Sequence, residues 1–238
     1  QPSDLIIVAA RPGMGKTAFA LNIAQQSAVK AGASVLIFSL EMSQEQLGQR
    51  LIAMQARVES EKLKKGTLDL KDWDRINFAL NELNNTKIVI DDTPGISIME
   101  MRNKCRRLKA EQGLDLIVVD YLQLMTFDGR ADSRQQEISA LSRHLKLLAR
   151  EMNCPVIVLS QLSRAPELRQ DKRPMLSDLR ESGSIEQDAD IVMFLYRDDY
   201  YNENTEKPGV CEINIAKHRS GPTDRIDLTW VARYTKFS

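Results

Sequence analysis

The chain has 238 residues, of which 42% are hydrophobic, and its 33 basic and 33 acidic side chains give a formal net charge of zero. This length can bury one large core, and the balanced charge argues against a protein that coats nucleic acid with a basic surface. We expect neither a membrane anchor nor a secretory leader. No apolar run approaches the ~20 residues of a membrane span, and the first residues lack a basic segment followed by an apolar one.

The cysteines and the first residue indicate the cellular setting and the extent of the chain. Cys105, Cys154 and Cys211 are odd in number, far apart and without the spacing of metal ligands. We interpret them as reduced thiols of a cytoplasmic protein. Because the chain starts at Gln1 and not at a methionine, we expect it to be part of a longer protein. Residues 1–238 contain no repeat and no low-complexity segment, which predicts a single domain.

The first half of the chain alternates short apolar runs with helical patterns. Continuous apolar runs of this length are typical of parallel strands that are buried on both faces of a sheet. Gly32 marks the end of the first helix, and Ser43 with Gln46 forms the capping-box pattern that begins another helix. The predicted elements are strands at 5–9, 35–39 and 87–91 and helices at 16–30 and 97–112.

The second half of the chain continues this alternation and then changes. Residues 210–217 and 225–230 alternate apolar and polar side chains around Gly221-Pro222, which predicts an antiparallel hairpin. Strands are predicted at 116–120, 155–160 and 191–195, a long helix at 133–152, and surface loops at 126–133, 163–178 and 198–208. The pattern predicts an α/β fold: a mostly parallel twisted sheet with helices on both faces and an antiparallel hairpin at one edge.

A glycine-rich loop joins the first strand to the first helix. Its sequence, Ala10-Arg11-Pro12-Gly13-Met14-Gly15-Lys16-Thr17, matches seven of the eight positions of a P-loop, with Ala10 in place of the first glycine. In such a loop the backbone N–H groups hold phosphates, the lysine reaches the β- and γ-phosphates, and the hydroxyl reaches Mg²⁺. We therefore expect ATP and Mg²⁺ as ligands. The predicted nucleotide-binding residues are Gly13, Met14, Gly15, Lys16, Thr17 and Ala18.

Polar side chains also stand at the ends of three predicted strands. Asp120 ends the fourth strand, and beside a P-loop we interpret it as the second magnesium residue with Thr17, acting partly through water. Glu41 follows the second strand, where it is equally compatible with activating the attacking water and with a favourable charge at a helix start. Gln161 ends the fifth strand, where it could contact the γ-phosphate or be an ordinary polar residue at the start of a loop.

Several segments together resemble the motor domain of the bacterial replicative DNA helicase, the DnaB type. They are residues 9–17 with 38–42, 119–124, the long run 178–190 and 217–221. The resemblance extends over essentially the whole chain. It implies a RecA-like P-loop domain that works in a ring, usually a hexamer, and that hydrolyses ATP to move on single-stranded DNA. It also implies a primase and a helicase loader as partners, and an N-terminal domain and linker that are absent from these residues.

The resemblance implies roles for catalytic side chains besides Lys16. It suggests Glu41 as the catalytic base and Gln161 as a sensor of the γ-phosphate. It also suggests that Lys217 and Arg219 project from the hairpin into the ATP site of a neighbouring subunit, as an arginine finger does. His218 and Ser220 depart from the residues expected there, but neither is a charged position of the finger. Without the resemblance, an exposed and solvated edge strand is the preferred explanation of the charges of Lys217 and Arg219.

For DNA, the resemblance implies Arg180, Glu181 and Gly183, placed on a loop before the sixth strand. Arg180 can pair with a phosphate, and the N–H of Gly183 can approach one closely. The basic loop at 163–174 is equally compatible with lining the DNA channel and with being a solvated surface loop. Because these loops contain no aromatic residue, we predict binding along the phosphate backbone, with weak sequence preference and strong dependence on salt.

Two other functions share part of this pattern. A recombinase of the RecA type has a P-loop and a glutamate after the second strand, but it needs an aromatic residue in its DNA loop, which these loops lack. A scaffold that only switches with ATP would bind partners with little turnover, and a glutamate placed as a catalytic base argues against it. Unwinding of a forked duplex distinguishes the helicase from both.

Overall fold

A central β-sheet organises the chain. The computed structural model describes residues 1–127, 129 and 131–238, without the side chains of residues 180–183. In these residues the strands are β1 Leu5–Ala10, β2 Ser34–Ser39, β3 Lys87–Asp91, β4 Leu116–Asp120, β5 Val156–Gln161, β6 Ile191–Tyr196, β7 Val210–His218, β8 Asp224–Val231 and β9 Lys236–Phe237. Their order across the sheet is β3-β2-β4-β5-β1-β6-β7-β8-β9. The first six strands in this order, from β3 across to β6, pair in parallel. The pairs β6–β7, β7–β8 and β8–β9 are antiparallel.

The helices that the structure describes lie between these strands in the chain. They are α1 Lys16–Ala31, α2 Gln44–Ala56, α3 Ser60–Lys65, α4 Leu70–Asn84, α5 Ile98–Gln112, α6 Arg134–Met152 and α7 Gly183–Asp188. Short 3₁₀ turns occupy Leu122–Leu124, Ala165–Leu168, Leu176–Ser182, Asp198–Tyr200 and Ala232–Tyr234. None of the helices in the described part of the chain has the length and apolar composition required to cross a bilayer.

The two faces of the sheet bury two separate cores. Alternate residues of a strand point to opposite faces, and β1 accordingly contributes Ile7 to one core and Val8 to the other. The first core packs against α5 and α6, and the second packs against α1 and α2. The predicted architecture, a mostly parallel sheet with helices on both faces and an antiparallel edge, is therefore present.

Most predicted elements occur within one or two residues of their expected ends, and the start signals behave as predicted. The Ser43 hydroxyl accepts a hydrogen bond from the N–H of Gln46, and the Gln46 side chain accepts one from the N–H of Ser43. Gly32 ends α1 in the left-handed conformation, with φ of 66°. Gln161 is the last residue of β5 and not the first of a loop.

Helices α3 and α4 fall between Ser43 and the strand at 87, where the sequence predicts no further element. Helix α4 contributes Ile76 and Ala79, with the partly buried Leu80, to a small core shared with α2, while Leu70 and Phe78 remain exposed. With Leu83, which packs against the core of α1 and α2, these core residues form one buried stripe, but the exposed apolar side chains on other faces of the helix obscure it in the sequence.

The segment expected to be a loop before β6 is helical and runs through the 3₁₀ turn at Leu176–Ser182 into α7. The placement of Arg180, Glu181 and Gly183 on a loop is therefore wrong. Tertiary contacts explain the difference, because Ile185 is buried in the core and the Ser184 hydroxyl bonds to that of Ser139 on α6 at 2.6 Å. These contacts are not visible in local sequence.

Candidate nucleotide-binding site

The glycine-rich loop between β1 and α1 has the conformation that phosphate binding requires. Gly13 and Gly15 adopt φ of 81° and 94°, a region that other residues rarely enter. Gly15 precedes the first residue of α1, and no described side chain caps that end, so its N–H groups face the loop with the positive end of the helix dipole. Ala10 ends β1 in a parallel pair with Gln161, which explains why alanine is tolerated at that position.

Thr17 and Asp120 form the oxygen-rich part of the site. The Thr17 hydroxyl donates to Asp120 Oδ2 at 2.7 Å, and Asp120 is only 3% exposed. Its second oxygen, Oδ1, is buried without a hydrogen-bond partner among the described residues. Burial raises the pKa of Asp120, while the hydrogen bond from Thr17 and the charge of Lys16 oppose that shift. Because buried polar atoms are normally partnered, this carboxylate oxygen is suited to a positively charged ligand.

Lys16, the first residue of α1, carries the positive charge of the site. Burial lowers the pKa of its ammonium group, and the negative charges of Asp120 and Glu41 offset part of that shift. The Lys16 Nζ atom lies 5.1 Å from the centre of the Tyr121 ring. The lysine is therefore held in a partly desolvated position, where its attraction for phosphate is stronger than in water.

A cavity of about 370 Å³ brings these groups together. Glu41 just after β2 and Gln161 at the end of β5 line it with the P-loop, because the carboxyl ends of the parallel strands lie at the same edge of the sheet. Met14 is buried in the core, so only its backbone can serve a nucleotide. The residues that line the cavity are Arg11, Pro12, Gly13, Gly15, Lys16, Thr17, Ala18, Glu41, Arg50, Gln161, Trp230 and Thr235.

Arg50 is a cavity residue to which the sequence pattern assigns no role. It lies on α2, one turn after Leu47 and next to Leu51, which are both buried. Burial lowers the pKa of Arg50, and the charges of Asp120 and Glu41 oppose the shift. In the sequence, Arg50 could have been identified as a site residue because it lies on the buried face of the helix that follows Glu41.

Gln123 is a second residue that sequence reasoning missed, and it fixes the backbone of Gln161. Its amide nitrogen donates to the Ser160 hydroxyl at 3.0 Å and to the Gln161 carbonyl at 3.3 Å. Its amide oxygen accepts from the N–H of Gln161 at 3.3 Å. These three bonds hold the end of β5, while the Gln161 side chain stays exposed towards the cavity.

Lys217 and Arg219 do not lie in this cavity in the single chain. Lys217 Nζ donates to the carbonyls of Glu186 at 2.6 Å and Ala189 at 2.7 Å, at the end of α7. Arg219 donates to the Gln187 carbonyl at 3.1 Å and lies 3.6 Å from the Asp190 carboxylate. The predicted finger therefore stands beside α7, away from the P-loop of its own chain.

The surroundings of Arg180, Glu181 and Gly183 lie outside what the structure describes, so their role in DNA binding stays a prediction. The basic loop before them is described, and two of its arginines are paired with carboxylates. Arg169 binds Asp178 through two nitrogens, each at 2.7 Å, and Arg173 binds Glu212 at 2.8 and 3.0 Å. The loop is therefore anchored to the protein, unlike a freely solvated surface loop.

The family of the chain follows from its sequence as a whole. Residues 1–238 match the sequence model of the family described as DnaB-like helicase C terminal domain. The chain belongs to this family. It is 58% identical over 238 residues to "Replicative DNA helicase DnaC" of Bacillus subtilis (strain 168) and 57% identical to "Replicative DNA helicase DnaB" of Geobacillus stearothermophilus. Each alignment covers 100% of this chain and 52% of the relative. The chain thus spans about half the length of the curated relatives it matches.

Two solved structures have the same fold. One, titled "The Structure Of A DnaB-Like Replicative Helicase And Its Interactions With Primase", superposes with a TM-score of 0.96 at 44% identity, covering 100% of this chain and 57% of that one. Another, described as an ATPase domain, gives a TM-score of 0.96 at 44% identity and covers 100% of this chain and 84% of that one. The predicted RecA-like fold class and the resemblance to DnaB-type helicases are confirmed. The roles of the individual site residues stay predictions.

Proposed function

We propose that this chain is the ATP-hydrolysing motor domain of a replicative DNA helicase, which moves on single-stranded DNA and unwinds the duplex at the replication fork. The observation that carries the proposal is the cavity that joins the P-loop to Glu41 and Gln161, with the Thr17–Asp120 pair beside it. Membership of the DnaB-like family supports DNA as the polymer on which the motor moves. The same reasoning favours a hexameric ring in the cytoplasm, with a primase and a helicase loader as partners.

In this proposal the P-loop holds the nucleotide. The backbone N–H groups around Gly13 and Gly15 bind the phosphates, and Lys16 places its charge at the β- and γ-phosphates. The backbone N–H groups of Met14 and Ala18 complete the cradle. Trp230 of β8 and Thr235, just before β9, border the cavity and enclose the rest of the nucleotide.

The oxygen atoms near Lys16 fit Mg²⁺. This ion prefers oxygen ligands, keeps several waters and is held by few protein groups besides the phosphates. The Thr17 hydroxyl and Oδ1 of Asp120, which has no hydrogen-bond partner among the described residues, would be such ligands, with Asp120 acting partly through water. No cluster of three or more metal-ligating side chains occurs among the described residues, which agrees with a site completed by phosphate. When bound, Mg²⁺ neutralises phosphate charge.

The chemistry that follows is attack of water on the γ-phosphorus. Glu41 takes a proton from the attacking water as the new P–O bond forms and the bond to ADP breaks, giving inorganic phosphate. Lys16 and Arg50, which both line the cavity, offset the negative charge of the transferred group. Gln161, fixed by Gln123, contacts the γ-phosphate and changes its contacts when that phosphate leaves.

A neighbouring subunit completes the site. Because Lys217 and Arg219 lie beside α7 of their own chain, we assign them to the ATP cavity of the adjacent subunit, where an arginine finger stabilises transition-state charge. Arg180, Glu181 and Gly183 contact the DNA backbone. Hydrolysis releases the link between subunits, and the DNA-binding segments then shift their grip along one strand.

The first test removes the charge of the P-loop in the full-length protein. Lys16→Ala should lower ATP turnover by about 100-fold or more, since the loss of one preorganised group at the transferred phosphate has effects of that size. Lys30→Ala, an exposed lysine on the same helix, is the matched control and should keep wild-type turnover. Normal ATP binding and cleavage by Lys16→Ala would disprove the assignment of the nucleotide site.

A second measurement identifies the motor. The full-length protein is mixed with a forked DNA duplex and ATP, and strand separation is followed with a fluorescent label. Unwinding that needs both ATP and a single-stranded tail supports the helicase. Strand exchange along a filament would instead indicate a recombinase, and ATP-dependent partner binding without turnover would indicate a switched scaffold.

A further inference from the structure

The segment between β5 and the candidate DNA-binding residues is held in place by charged contacts. We call residues 162–178 the connector. It begins directly after Gln161 and ends two residues before Arg180. It contains two short 3₁₀ segments, Ala165–Leu168 and the first residues of Leu176–Ser182. Its contacts reach the P-loop and the hairpin strand β7, and an internal ion pair fixes the end that leads to the DNA-binding segment.

The first contact ties the connector to the P-loop. The Arg11 guanidinium donates from Nε to Glu167 Oε1 at 2.9 Å and from Nη1 to the Leu162 carbonyl at 2.8 Å. The Arg11 side chain is 12% exposed and that of Glu167 is 35% exposed. A pair this enclosed is screened less by solvent than a pair on the open surface. Arg11 is also a lining residue of the nucleotide cavity, so the contact begins at the site of ATP binding.

The second contact closes the far end of the connector. Arg169 donates hydrogen bonds to both carboxylate oxygens of Asp178, and Asp178 also accepts a hydrogen bond from the N–H of Met175 at 2.9 Å. The Asp178 side chain is 3% exposed, and the hydrogen bond to it raises the pKa of Arg169. A bidentate pair of this kind fixes direction as well as distance. Asp178 thereby orients the start of the segment that carries Arg180.

The third contact joins the connector to the hairpin. Arg173 places two nitrogens on Glu212 of β7, at 2.8 and 3.0 Å, and lies 4.7 Å above the Tyr196 ring of β6. Glu212 is five residues before Lys217 on the same strand. The connector is thus tied to the P-loop by Glu167 and to β7 by Arg173. Its internal Arg169–Asp178 pair fixes the end that precedes Arg180 by two residues.

We propose that Glu167 is a positioning residue that couples the nucleotide site to the DNA-binding segment through its pair with Arg11. This inference rests on the proposed function, because it needs both ligands to bind the same chain. A change at the P-loop that moves Arg11 displaces Glu167, and the connector carries that displacement to Asp178. Coupling between two binding sites is reciprocal, so DNA must alter nucleotide affinity by the same factor by which nucleotide alters DNA affinity.

The experiment measures this coupling in the assembled full-length protein. The affinity for a fluorescent oligothymidylate is determined with a non-hydrolysable ATP analogue and with ADP, and the ratio of the two affinities is the readout. In Glu167→Gln the ratio should fall by at least about threefold towards one, whereas basal ATPase and nucleotide affinity without DNA stay at wild-type values. Glu206→Gln, an exposed glutamate in another loop, is the matched control and should keep the wild-type ratio.

A second variant acts at the other end of the connector. Arg169→Lys keeps the positive charge but loses the two-pronged geometry, and it should reduce the same ratio. A wild-type ratio in both variants overturns the proposal. A parallel loss of basal ATPase in Glu167→Gln also overturns it, because Glu167 would then act on the chemistry itself. If the wild-type protein has no nucleotide-dependent DNA affinity, the proposed function fails instead, and the two failures are distinct.

Discussion

Asp190 is a buried carboxylate that joins three parts of the molecule. It accepts hydrogen bonds from the N–H of Leu5 at 2.8 Å and from Lys146 Nζ at 2.5 Å, and Arg219 lies close by. Burial alone raises the pKa of Asp190, but these hydrogen bonds and positive charges reverse the effect, so its pKa lies below the ordinary value. The ionised carboxylate therefore stabilises the folded chain.

This gives a pH-dependent prediction for Asp190→Asn. A carboxyl whose pKa is lowered on folding contributes stability above its unfolded-state pKa and loses that stability as the pH falls through its folded-state pKa. At pH 7 the variant should lose about 1–3 kcal/mol of unfolding free energy, since a hydrogen-bonded charge is removed. The loss should shrink below about pH 3.8, the ordinary carboxyl value. Urea denaturation at several pH values measures both.

A carboxylate elsewhere provides the control for that experiment. Asp74→Asn replaces an exposed residue of α4 and should change stability little at any pH. If Asp190→Asn destabilised the protein equally at acid and neutral pH, the lost stability would come from packing and not from the charge.

Burial also shifts the pKa values of the three cysteine thiols. All three are free and buried, as expected of reduced thiols. Burial raises the pKa of Cys105 and Cys211 to about 12 and that of Cys154 to about 11. Thiols of this kind are inert, because the thiolate is the reactive form.

At the scale of single residues, sequence identifies the groups whose role follows from local position. Lys16 and Thr17 are predicted from a loop between a strand and a helix, and Asp120 from a strand end. Other residues, Arg50, Gln123 and Arg11, receive no role from sequence, because each acts through a partner that is distant in the chain. Arg11 and Glu167, for example, are 156 residues apart. Such pairs are set by how the sheet brings strand ends together.

At the scale of elements, the edge hairpin depends on one buried charge. Glu212 of β7 is 3% exposed and binds Arg173, Lys207 and Arg225. Asp227 of β8 shares Lys207 at 3.0 Å but is 46% exposed. The two carboxylates therefore differ in burial while belonging to the same hairpin.

We expect this difference in burial to determine how much Glu212 and Asp227 each contribute to the free energy of unfolding. Glu212→Gln should reduce the free energy of unfolding by about 1–3 kcal/mol, because a buried group hydrogen-bonded to charges is lost. Asp227→Asn should change it by at most about 0.5 kcal/mol, as for most exposed ion pairs. Chemical denaturation of the two variants side by side gives both values. Equal losses would contradict the distinction drawn from burial.

The elements that sequence predicts are those with a continuous apolar run or a long, regular helical pattern. The apolar runs of β1, β2 and β4 are buried on both faces, and such runs are visible without a structure. Helix α7 is short and is held by Lys217 at its C-terminal carbonyls. Its six residues carry no pattern long enough to indicate a helix, which is why sequence alone predicts a loop there.

At the scale of the whole molecule, the proposed ring makes each ATP site the joint product of two chains. In this proposal Lys16 belongs to one side of an interface and Arg219 to the other. Single-residue variants of either should be inactive when every subunit carries the same change. The two inactive variants then lack groups from opposite sides of the same interface.

Mixed rings test this arrangement. When full-length Lys16→Ala and Arg219→Ala proteins are combined at equal concentrations, about a quarter of the interfaces should carry both intact residues, and ATPase should return to a comparable fraction. Native mass spectrometry confirms that the rings contain both proteins. Mixed rings that remain inactive, or wild-type ATPase in Arg219→Ala alone, would show that Arg219 does not act across the interface.

Ala10 pairs with Gln161 and Ser39 pairs with Asp120 in the parallel sheet. These pairings limit where residues can be inserted or deleted in proteins of this family. Removing one residue inside β4 would withdraw Asp120 from Thr17 and also turn every following side chain of that strand to the opposite face. Additions at 202–207, between the turn at Asp198–Tyr200 and β7, change neither spacing. Insertions and deletions should therefore accumulate in such connections, while strand lengths in front of the cavity remain constant.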